Sequence, residues 1–130
     1  MASEPAHQVT MAELMAALPH VLAAPKDAAP VLQLCFRPAF NQRSLPDHLT
    51  LTRTEGIPSE RFTSAPWLKL PDGSGDPRIQ VSILPQRVMD LVWRDRAGTP
   101  HPGDTIIADL DTTEANLPTG TLMQVGTAIL

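Results

Sequence analysis

The stretch Gly103 to Leu130, GDTIIADLDTTEANLPTGTLMQVGTAIL, decides the reading of the fold. Thr105 to Leu110 and Leu122 to Ile129 alternate apolar with polar residues, the period of a strand, and Asn116, Pro118 and Gly120 supply turn chemistry between them. The last run stops at Leu130 in mid-alternation, so the chain reads as a C-terminally shortened form of a β architecture or as a fragment of a longer protein. A strand left incomplete in this way exposes backbone N–H and C=O groups, which leads us to expect a homodimer through an exposed strand edge.

Upstream, Ile79 to Leu84 (IQVSIL) places Ile79, Val81 and Ile83 on one face, the pattern of a strand. Pro85 suits a first helical position, and Val88, Leu91 and Val92 continue at helical spacing, so Pro85 to Trp93 reads as a short helix packed on the sheet. Val31 to Arg37, bounded by Pro30 and Pro38, sets Leu32, Leu34 and Phe36 against Gln33, Cys35 and Arg37. His48 to Thr54 repeats the alternation, and Trp67 to Leu70 is a short extended piece before the turn-rich PDGSGDP. Thr10 and Glu13 form a capping box ahead of Leu14, Ala17, Leu18, Val21 and Leu22, an amphipathic helix kinked at Pro19 and ended by Ala-Ala-Pro. Residues 1–9 are polar and read as a flexible N-terminus. The sum is about six or seven short strands with two helical pieces in one domain, 10–130. The predicted fold class is mostly β, a barrel or sandwich with an N-terminal helix and one short packed helix.

Composition narrows the function classes. The 130 residues carry a formal charge of −4, with 18% charged residues and lysine and arginine scattered singly, which argues against nucleic acid and an anionic membrane surface as partners. No apolar run reaches the length of a spanning helix. The 14 prolines, about twice the usual frequency, disfavour a helical bundle. One cysteine, Cys35, allows no internal disulfide, and with no convincing signal peptide a cytoplasmic location is the default.

Four segments, in order, resemble the MOSC family, the domain named from the C-terminal part of molybdenum-cofactor sulfurase. Ala23 to Arg43 (AAPKDAAPVLQLCFRPAFNQR) is similar to the opening of small bacterial members, and EGIPSERF, Glu55 to Phe62, resembles the family's EGL-V-GD-R-W element. Asp72 to Val92 resembles its Arg-Gln-Val-Thr-Leu strand with the following helix, and Gly103 to Leu130 its GDQL strand and LDLSEANLP connection. Glu55, Gly56 and Arg61 match the pattern, whereas Ser59 replaces a glycine, Glu60 an aspartate and Phe62 a tryptophan. The resemblance implies a MOSC-like β-barrel, a molybdopterin-type cofactor or related pterin, a sulfur-relay protein as partner and a sulfur-carrier role; pyridoxal phosphate enters by family association only. The family's cysteine lies in a segment beyond the position of Leu130. The expected function is therefore a binding or accessory module without sulfur transfer, and the alternative is an active sulfur carrier, transferase or oxidoreductase component using Cys35 or a partner thiol.

Three candidate sites follow. Cys35 beside Arg37 is either a reactive thiol or a buried small hydrophobe. Glu55, Gly56 and Arg61 form either a cofactor-binding corner, the guanidinium taking a pterin phosphate, or an ion-paired loop. Asp104, Asp109, Asp111 and Glu114 lack calcium-loop spacing and read as a solvated edge with Asp111 or Thr112 capping a turn. His7, His20, His48 and His101 are dispersed and offer no metal pair, and no nucleophile elbow, P-loop or dinucleotide fingerprint occurs.

Overall fold

The computed structural model describes residues 8–130, so most of the stretch expected to be a flexible N-terminus lies outside the described residues. Thr10 caps helix α1, Met11–Leu22, its Oγ1 accepting the Glu13 amide at 3.2 Å, and Pro19 sits inside the helix. Strand β1, Val31–Leu34, precedes a long irregular segment interrupted by the one-turn helix α2, Arg61–Ser64. Strand β2, Ile83–Pro85, runs directly into helix α3, Gln86–Val92, and strand β3, Ile106–Ala108, follows. Strands β4, Gln124–Val125, and β5, Ala128–Ile129, close the chain as a hairpin.

The sheet order is β1-β3-β2, with β1 antiparallel and β2 parallel to β3. A parallel neighbour needs a crossover, and α3 with its loop provides it. The buried centre is β3 itself, Ile106, Ile107 and Ala108, with Leu110 beyond it and Leu34, Val81, Ile83, Leu117, Met123 and Val125 packed around. Arg87 fastens the helices to this centre: its Nε donates to Asp109 Oδ1 at 2.8 Å and its Nη1 to the His20 carbonyl at 2.8 Å.

This overturns the mostly-β barrel. Among the described residues there is no closed barrel, only a three-stranded mixed sheet and a separate two-stranded hairpin with three α-helices, a small mixed α/β arrangement. Three local causes account for it. Residues 48–54 make no strand, only a bridge between Thr52 and Gly56. The first half of the run from Ile79 is diverted because Asp76 accepts the Arg78 amide and nucleates a 3-10 turn over Pro77–Ile79. The single strand expected over Leu122 to Ile129 is folded in two at Gly126, which takes φ +60°. Alternation over four to six residues does not by itself supply a partner strand, and proline removes the donors a ladder needs.

Candidate functional site

The inward set of the β1 segment is mixed: Leu34 packs on the core as its alternation expects, but residues expected to face solvent turn inward beside it. Leu32 is 48% exposed, whereas Cys35 is 0% exposed and Gln33 and Arg37 reach interior polar partners. The register between β1 and β3 shifts between Val31 and Gln33, and the Cys35 amide donates to the Thr105 carbonyl at 2.9 Å. A one-residue slip of this kind exchanges the two faces of a strand.

Arg37 leaves this strand and meets Glu60, which is 2% exposed; the Glu60 carboxylate accepts Arg37 Nη2 at 2.8 Å and the Arg37 amide at 3.2 Å. The chain then turns through Asn41, at φ +57°, and Ser44 pairs with Phe36, so the loop presents Arg43 beside Arg37. The Arg61 amide donates to the Arg37 carbonyl at 2.8 Å, which sets the first residue of α2 against the same loop. The Arg61 guanidinium lies 4.9 Å from the ring centre of Phe40 and 5.8 Å from that of Trp67, and Arg37 lies 5.3 Å from Trp67. Trp67 is in turn held edge-on by buried Phe62 at 4.8 Å.

Arg37, Arg43, Arg61 and Trp67, with Ala39, Asn41 and Gln42, line a cavity of about 250 Å³ that no carboxylate lines. The buried Nε atoms of Arg37 and Arg43 have no hydrogen-bond partner among the described residues. A buried charged donor without an acceptor is costly, and the two arginines that carry these atoms line the same cavity, where with Arg61 they concentrate positive charge suited to an anion. The exposed rings of Phe40 (76%) and Trp67 (50%) add flat apolar surface at the rim. Of the larger cavities, two of about 430 and 380 Å³ share Val31, Ile106, Val125 and Gly126 and are lined largely by aliphatic residues, the one lysine there, Lys26, being engaged by Asp111 at 2.7 Å, and the largest, about 570 Å³, carries Glu55 beside Arg53 and Lys69.

Of the residues singled out in the sequence, Arg61 lies in this corner. Glu55 is exposed and lines a different cavity with Arg53, Lys69 and Gln80. Gly56 is buried at φ +70°, exchanges backbone hydrogen bonds with Thr52, and a Cβ there would stand 2.8 Å from Gln80 Cδ. These two residues shape the loop that delivers Glu60 and Arg61. Cys35 is buried, and burial pushes its thiol pKa up against the opposing pull of Arg37 and Arg43. Asp111 is buried within the acidic stretch: it accepts Lys26 Nζ and the Thr113 amide, and these contacts hold its carboxyl down at about 2. Among the described residues no three His, Cys, Asp or Glu side chains come together as a metal site. None of their helices is long and apolar enough to cross a membrane.

Sequence reasoning missed Arg43, Trp67 and the inward role of Arg37. The available signal was the R-P-A-F-N-Q-R spacing, two arginines either side of a proline- and asparagine-bearing turn, which a closed loop brings together. Comparison of this chain with protein-family models, curated proteins and solved structures returns no match.

Proposed function

We propose that this chain is a binding module for a planar, phosphate-bearing ligand of the molybdopterin class, held at the arginine corner, with no sulfur-transfer step of its own. The observation that carries the reading is one cavity lined by three arginines and no carboxylate, two of these arginines keeping a buried Nε without a hydrogen-bond partner among the described residues. Guanidinium groups suit phosphate oxygens, and Trp67 and Phe40 provide aromatic surface beside them for a flat ring system. Gly56 and Ser59, which stand at the two glycine positions of the element that resembles EGL-V-GD-R-W, both adopt left-handed φ, +70° and +67°, a local likeness in a fold that is not the expected barrel. Serine is tolerated there at some cost, which is why a glycine suits the position.

A carrier role would need a thiolate within reach of a donor, and Cys35 is enclosed with a raised pKa. The test is titration of the protein with a phosphorylated pterin and with the same pterin lacking phosphate, followed by Trp67 fluorescence in a Trp93→Phe background. Tighter binding of the phosphorylated form, lost in Arg61→Ala and Arg43→Ala, is the expected result. Equal binding of both forms, or unchanged binding in both variants, would sink the reading.

A further inference from the structure

His101 stands behind the arginine corner and is buried. Its Nδ1 lies 2.9 Å from the Gly103 amide nitrogen, which can only donate, so Nδ1 carries a lone pair; the ring hydrogen is therefore on Nε2, which donates to Gln33 Oε1 at 2.8 Å. Both nitrogens are thus committed to the neutral ring. Gly103, at φ +89°, has no side chain, and a Cβ there would stand 3.1 Å from Arg43 Nε and Nη2, so the Arg43 guanidinium rests directly on the backbone that His101 holds.

We propose that His101 is a protonation switch for the corner: its neutral ring fixes the turn at residues 101–103 on which Arg43 is seated, and a proton on Nδ1 breaks that turn and unseats Arg43. The proposal rests on the reading above that the corner takes an anion. The second proton would place one N–H against another and leave the Gly103 amide without its acceptor. The charged groups around the ring are few. Burial disfavours the imidazolium most, Arg43 from the corner loop and Arg96 from the loop after α3 oppose it as well, and Asp104 on the adjacent turn favours it. From β1 the ring meets the neutral Gln33, and Trp93, at the C-terminal end of α3, contacts it edge-on at 5.3 Å, with Arg96 over the indole at 4.7 Å. The balance lowers the His101 pKa, so switching falls below the ordinary histidine range.

The sign separates this mechanism from plain electrostatics. A fixed corner that gained a nearby positive charge would hold sulfate more tightly in acid, whereas an unseated Arg43 holds it less tightly. The experiment is an NMR titration of the full chain from about pH 8 to about pH 4, following the His101 ring, the Gly103 amide and the Arg43 Nε–H, alongside sulfate affinity across the same range. Expected are one shared midpoint for the three signals, a several-fold loss of sulfate affinity on acidification, and loss of both effects in His101→Asn. A His101 that stays neutral throughout, Gly103 and Arg43 signals that ignore its titration, or sulfate binding that tightens in acid would overturn the switch. Absence of sulfate binding at every pH with the three signals still moving together would instead retain the switch and remove the anion reading.

Discussion

Two buried carboxylates, Asp111 and Glu60, each hold a cation from a distant part of the chain, and they end differently. Around Asp111 the polar groups close on one another. Lys26 and the Thr113 amide donate to its carboxylate, its own amide donates to the Pro25 carbonyl, and Asn116 Nδ2 donates to the carbonyls of Lys26 and Asp111. That clasp ties the end of α1 to the connection after β3. Around Glu60 the carboxylate is satisfied, but Arg37 Nε is left over, and Arg43 Nε beside it. A polar network in which each member is paired rigidifies a fold; the one around Glu60 keeps two donors without a partner among the described residues.

The comparison can be broken most severely at Glu60. Glu60→Ala strands the Arg37 guanidinium in the interior, and urea unfolding should show a loss of about 3–5 kcal/mol, the cost typical of breaking one side of a buried pair. A loss no larger than a surface substitution gives would mean that Arg37 turns freely to solvent. At the other carboxylate, Asp111→Asn should lower the unfolding midpoint and speed amide exchange at Thr113 while leaving anion binding unchanged. The pH dependence follows from sign. The Asp111 pKa is held at about 2 in the fold, below its ordinary value of 3.8, so its stabilisation is complete above the ordinary value and is lost as pH falls toward the folded one. Acid unfolding monitored in the Asp111→Asn variant should lack that component.

Smaller effects sharpen the account of the loop between the two regions. Gly56→Ala forces a side chain into a left-handed position and against Gln80, and should destabilise by about 1–2 kcal/mol. Ser59→Gly relieves the same backbone penalty at an exposed site, and an increase in stability of about 0.5 kcal/mol is expected in the same unfolding assay. Cys35 should resist a thiol reagent in the folded protein and react only on unfolding; rapid modification under native conditions would show the strand opening to solvent.

Two of the three α-helices, α1 and α3, were legible in the sequence because their signals are local: the Thr10 and Glu13 capping box and the proline that precedes Gln86 act within one turn, whereas the one-turn α2, whose Glu60 N-cap makes no side-chain capping bond, carries no such signal. The sheet was not, because period two says which residues alternate and not which face is wanted. Leu34 packs on the core as its alternation expects, but Leu32 is exposed, and Thr105, His101 and Glu60, all far along the chain, supply interior partners for Cys35, Gln33 and Arg37. Arg61 was singled out as a candidate through its loop motif. Arg43 and Trp67 join it only through the closure of residues 37–44 and the packing of Trp67 on Phe62, contacts that no linear spacing states.

The most direct test of the central claim, that the arginine corner is the ligand site, is calorimetric titration of a phosphorylated pterin into four proteins: wild type, Arg43→Ala, Arg61→Ala and Asp111→Asn. Binding in wild type and Asp111→Asn, with loss in both arginine variants, is the predicted result. Binding unaffected by the arginine substitutions, or absent from wild type, would contradict it.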